Sequence, residues 1–103
     1  MKTYDKLVRD RIPEIIEARG AKASFRACAD DAEYLERLVA KLREEVDEFD
    51  RDRNAEELAD VLEVVKALCV RLGLDPRDVE ALRAKKAEER GAFAKRLILV
   101  ETD

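Results

Sequence analysis

The sequence predicts a mainly α fold, a four-helix bundle with a small β element, and three observations carry that prediction. Cap residues stand ahead of the helical runs, the apolar residues of the two longest runs repeat at helical spacing, and the interval between those two runs is very short. At 103 residues and 11.8 kDa the chain has room for one small domain, residues 1–103, and a second independent core is excluded.

Each element has its own signal. Pro13 suits the first turn of a short helix running to about Arg19, with Gly20 as its terminator. The stretch Ala21–Ala29 keeps no helical period and reads as extended. Asp30 followed by Glu33 is a capping box, and it opens a long helix over 31–52 whose apolar stripe is Leu35, Leu38, Val39, Leu42, Val46 and Phe49. Asn54 with Glu57 repeats the signature, and Leu58, Val61, Leu62, Val65, Leu68 and Cys69 carry a third helix to Gly73. The short interval forces these two helices into an antiparallel hairpin. Asp75 then Pro76 is an N-cap followed by proline at the first helical position, opening a charged fourth helix that ends at Gly91. The tail AFAKRLILV is apolar and β-branched enough for a strand, which would pair with the extended segment ahead of the second helix.

Composition narrows the chemistry. Charged residues make up 45% of the chain, so its surface is strongly ionic, yet 21 basic against 25 acidic residues leave net −4 and no excess of cations to track a nucleic acid. Histidine is absent, which removes imidazole bases, Ser/His and Cys/His nucleophiles and His-ligated zinc. Three isolated glycines form neither a P-loop nor a dinucleotide fingerprint. Cys28 and Cys69 are far apart with no C-x-x-C, which fits a reducing compartment. The start MKTYDKLVRDR is too polar for a signal peptide, and no apolar run approaches the ~20 residues of a membrane span. The expectation is a cytoplasmic protein with neither a membrane nor a nucleic-acid partner.

Two acidic pairs stand out, Glu45 with Glu48 near the end of the second helix and Glu57 with Asp60 near the start of the third. Residues three apart share a helix face, and the hairpin brings both pairs to its closed end. Glu57 precedes Val61, Val64 and Leu68 by four, seven and eleven residues, on the apolar stripe, and Glu45 stands in the same relation to Leu38, Leu42 and Phe49. Glu57 is read as the most inward of the four. Unpaired carboxylates in such a seam repel one another and lose hydration, so they take up protons or hold a cation. All-oxygen ligation suits Mg²⁺, with Mn²⁺ as a substitute, and implies a polyphosphate substrate. The competing reading is ordinary helix salt bridging, with Lys41 at i−4 neutralising Glu45 and Arg51 at i+3 neutralising Glu48. Glu44, Glu56 and Glu63 fall on the polar sides and read as solvated surface.

The sequence EEVDE at 44–48 followed by ELAD at 57–60 resembles the paired acidic motifs of the MazG-like all-α nucleoside triphosphate pyrophosphatase superfamily. The opening YDKLVRDRIPEIIEARG and the close KKAEERGAFAKRLILVE resemble its subgroup of house-cleaning non-canonical NTP pyrophosphatases, which is phosphoribosyl-ATP pyrophosphohydrolase-like, so the likeness spans nearly the whole chain. The resemblance implies hydrolysis of a nucleoside triphosphate to the monophosphate and pyrophosphate, with Mg²⁺ held by Glu45, Glu48, Glu57 and Asp60. Basic residues inside the resembling segments, Lys6, Arg9 and Arg11 in the opening and Lys86 and Arg90 in the close, are the candidate phosphate contacts. The aromatics available to a nucleobase are Tyr4, Phe25, Tyr34, Phe49 and Phe93.

Two alternatives compete with this expectation. One is a phosphoribosyl-ATP or dUTP-type pyrophosphohydrolase using the same motif, and the other a non-enzymatic helical oligomerisation module. The thin core, with 5% aromatics, predicts at least a homodimer on either reading.

Overall fold

The computed structural model describes residues 2–103. Four helices follow in order: α1 (Ile12–Ala18), α2 (Asp31–Asp52), α3 (Ala55–Arg71) and α4 (Pro76–Arg90). Their ends follow the local chemistry of the sequence. The Asp30 side chain accepts from the Glu33 N–H at 2.8 Å. Glu33 in turn reaches back to the Ala29 N–H, one residue beyond the usual capping box, while Arg26 grips both of its oxygens. Asn54 caps α3 through the Glu57 N–H at 3.0 Å, and Asp75 caps α4 through the Arg77 N–H at 2.8 Å. Past the end of α3, the Leu74 N–H bonds the Cys69 carbonyl and the Gly73 N–H bonds the Val70 carbonyl. That is a Schellman closure, and it needs the left-handed backbone that Gly73 adopts at φ 72°.

Only Arg53 and Asn54 separate α2 from α3, so the two helices fold back against each other as a hairpin. The core lies in its seam, where Leu38 is 2% exposed beside buried Val64 and Cys69. Among the described residues, the one charged residue buried with them is Glu45, at 6% exposure. The segment from Leu7 to Ile15, including the start of α1, lies over one side of this hairpin and closes a cleft with it. Helix α4 packs lightly on α3, and the molecule extends 57 × 31 × 26 Å. Its radius of gyration of 17.9 Å exceeds the about 13 Å of a compact chain of this length.

The expected β element does not form. Neither residues 21–29 nor the tail beyond Arg96 is strand, and no backbone hydrogen bond joins them among the described residues. A two-stranded ribbon with no layer to pack on is marginal in water. The tail instead lies in the open, with Phe93 94% exposed and Leu97, Ile98, Leu99 and Val100 almost as bare. No helix among the described residues is long and apolar enough to cross a membrane.

Candidate metal centre

The i, i+3 spacing on two antiparallel helices has the geometric consequence it should. One carboxylate oxygen from each of Glu45, Glu48, Glu57 and Asp60 lies within 4.8 Å of every other. Asn54 contributes by holding the first turn of α3, so that Glu57 starts the helix facing α2 rather than solvent. The most inward of the four is Glu45, not Glu57, because Glu45 lies mid-seam near Leu38 whereas Glu57 stands in the first turn beside the open loop.

Electrostatics in the cluster are unbalanced. Lys41 lies 3.4 Å from Glu45 Oε1, as the i, i+4 geometry allows, but Arg51 makes no ion pair with Glu48. Among the described residues, neither Glu48 nor Glu57 has a cationic partner. Glu45 Oε2 and Glu57 Oε2 are buried with no hydrogen-bond partner at all. Such orphaned acceptors are rare in native interiors. Burial pushes the Glu45 carboxyl above its ordinary range, Lys41 pulls it back in part, and Glu48 pushes it up again. Burial also raises Glu57, with further repulsion from Glu48 and Asp60. Four carboxylates of hard-ligand type around a small space, two of which carry a buried oxygen with no partner, can hold a metal ion.

A cleft of about 410 Å³ adjoins the cluster and shares Glu45 and Asp60 with it. Its walls are apolar along Leu38, Val64, Ile12 and Ile15, and Tyr34 is the one aromatic among its lining residues. Three cations face it, Arg9, Arg11 and Lys41. Arg9 Nη2 donates to Asp60 Oδ1 at 2.7 Å, and Arg11 pairs with Glu14 at 3.2 Å. Lys6 lies elsewhere: it bonds Glu44 at 2.7 Å over a separate, smaller hollow lined by Asp5, Arg37 and Lys41. Lys86 and Arg90 are exposed on α4 and line neither the cleft nor the hollow.

Two readings of polar surface change. Glu44 is not a solvated bystander but the junction of Lys6 and Lys41; burial pushes its carboxyl up, and the two ammonium groups outweigh that and hold it low. Glu63, although exposed, forms part of the cleft wall. Helical spacing signals only the Lys41–Glu44 half of this, since the Lys6 contact and the cleft both depend on where the N-terminal segment crosses the hairpin. Lys41 was legible from its i−4 spacing to Glu45, but only as a neutraliser and not as a lining residue.

No protein-family model matches the chain, and no solved structure matches it. Over 44 residues it is 56% identical to an uncharacterised protein of Mycolicibacterium smegmatis, a stretch that covers 43% of this chain and 44% of that protein. The matched stretch thus spans less than half the length of this curated relative.

Proposed function

We propose that the chain is a Mg²⁺-dependent nucleoside triphosphate pyrophosphohydrolase, releasing a nucleoside monophosphate and pyrophosphate from non-canonical or surplus nucleotides in the cytoplasm. The observation that carries this reading is the convergence of Glu45, Glu48, Glu57 and Asp60 with two buried, unpartnered oxygens beside a cation-lined cleft. Carboxylates without partners suit a hard divalent ion, and a polyphosphate needs cations beyond that ion. Bound there, Mg²⁺ would supply charge neutralisation at the phosphate oxygens and a water of lowered pKa.

The chain's own groups take the remaining roles. Arg9 and Arg11 hold the phosphates from the cleft wall, Lys41 stays as the counter-charge of Glu44 and Glu45, and Tyr34 with Ile12 and Ile15 receives the base on an apolar surface. A carboxylate oxygen of the cluster that the ion leaves free is placed to take a proton from the attacking water. A pyrophosphate-release assay over canonical and modified nucleoside triphosphates with Mg²⁺ tests the reading. Release of pyrophosphate in step with the monophosphate is expected, and release of neither with any triphosphate would reject it. The same panel, extended to dUTP and phosphoribosyl-ATP, separates the dedicated-substrate alternative.

One observation favours self-association. The chain exposes 9485 Å², against about 5,900 Å² for a compact monomer of its mass. That excess of about 3,600 Å² on one chain is more than the about 1,000–2,500 Å² that each partner buries in an obligate dimer. A second copy covering the bare apolar side chains of α3, α4 and the tail is therefore part of the proposal. A purely structural oligomerisation module would account for this surface but not for the orphaned oxygens of Glu45 and Glu57.

A further inference from the structure

Arg9 and Asp60 are 51 positions apart, yet the Arg9 guanidinium lies 2.7 Å from the Asp60 carboxylate. Asp60 is one of the four clustered acids, so one of the prospective ligands carries a cation of the protein's own. The manner of the contact matters. Arg26, Arg77 and Arg83 each grip a carboxylate through two nitrogens, whereas Arg9 touches Asp60 through Nη2 alone. Arg9 also belongs to a segment without helix or strand, and its side chain is 57% exposed on the cleft wall. Lys41, held between Glu44 and Glu45 with little exposure, is the fixed counter-charge by comparison.

We propose that Arg9 is a displaceable counter-cation, resting on Asp60 until a divalent ion takes that carboxylate and then turning to a phosphate group in the cleft. This rests on the metal-site reading above. A doubly charged ion at the cluster repels the guanidinium and competes for the same carboxylate, and a single exposed hydrogen bond is a weak restraint against it. A phosphate in the cleft is a partner that restores the lost ion pair, and it can do so bidentately. Metal and phosphate binding are then positively coupled, each raising affinity for the other by the same factor. The ligand class is a phosphate anion that enters with its metal, and Arg9 is the residue that links the two.

Calorimetric titration of Mn²⁺, with no anion present, into wild type, Arg9→Gln, Arg9→Lys and Glu57→Gln tests the first half. Arg9→Gln should bind Mn²⁺ about two- to fivefold tighter than wild type, the scale of one exposed ion pair removed. Arg9→Lys should stay near wild type, and Arg83→Gln, whose guanidinium pairs with Glu80 outside the cleft, should control for net charge. The second half uses inorganic phosphate titrated with and without saturating Mg²⁺: the metal should tighten phosphate binding to wild type by a larger factor than to Arg9→Gln, and equal factors would overturn the coupling through Arg9. If Arg9→Gln binds Mn²⁺ no better than wild type and melts lower, Arg9 is a structural tie, and the proposal falls while the metal site stands. If no variant binds Mn²⁺, the metal site itself is gone and the exchange with it.

Discussion

Lys41 lies 3.4 Å from one oxygen of Glu45 and leaves the other oxygen of the same carboxylate buried and unbonded. A salt bridge that existed only for stability would not leave half of a buried anion unserved, because an unmade bond there costs about 1–3 kcal/mol. Half-compensation is what a site requires when it must hold an anion in place and keep an oxygen ready.

The four clustered acids should therefore behave as a unit. Glu45→Gln, Glu48→Gln, Glu57→Gln and Asp60→Asn are each expected to lower pyrophosphate release by about a hundredfold or more, while exposed Glu56→Gln stays within about twofold. Steady-state kinetics on folded variants decide this, and similar losses for Glu56→Gln would mean that charge, not a defined centre, is responsible.

Stability should depend on pH with a sign set by Glu45 and Glu57. Both carboxyls are raised above the ordinary value of 4.5 by burial, with repulsion from Glu48 added. Folding thus favours their protonated forms, and the stability they contribute is full below about 4.5 and is lost as pH rises through the raised folded values. Metal-free Glu57→Gln should accordingly melt higher than wild type at pH 7 and level with it at pH 4. A variant that melts lower at pH 7 would reveal Glu57 as the partner of a cation.

Glu33 runs the other way. Its hydrogen bond from Arg26, helped by the Ala29 N–H, holds the carboxyl at about 2 against 4.5. That stabilisation is present above pH 4.5 and disappears as pH falls towards 2. Glu33→Gln should lower the melting temperature at pH 7 and make no difference at pH 2, and an equal deficit at both would mean that the side chain acts by packing instead.

Adding Mg²⁺ should raise the melting temperature of wild type, because an ion that binds only the folded chain stabilises it by about 2.7 kcal/mol at a hundred times its Kd. Glu57→Gln should lose most of this response. Wild type melting identically with Mg²⁺ and with EDTA would remove the metal centre.

Sedimentation equilibrium should give at least twice the 11.8 kDa chain mass at micromolar concentration. Leu62 is 68% exposed on α3, and Leu62→Asp should shift the equilibrium towards monomer. An unchanged dimer would place the interface elsewhere, and a stable wild-type monomer would reject association altogether.

What the sequence by itself determined was everything governed by interactions within a few residues. Asp30 with Glu33, Asn54 with Glu57, and Asp75 with Pro76 set the helix starts, because a cap bonds an N–H two or three positions on. The i, i+3 spacing of the acids, combined with a turn of two residues, was enough to bring Glu45, Glu48, Glu57 and Asp60 together. Tertiary structure decided the rest. Glu45 lies deepest because the packing of α2 on α3 puts it mid-seam, while the meeting of Arg9 with Asp60 and of Lys6 with Glu44, and the place of Tyr34 and Glu63 on one cleft wall, depend on the path of residues 2–12 across the hairpin. That path has no period and no cap to mark it. The tail is the clearest case: Leu97 to Val100 have strand propensity, but a strand exists only where a neighbouring backbone offers hydrogen bonds and a layer to cover its apolar face, and the single chain provides neither.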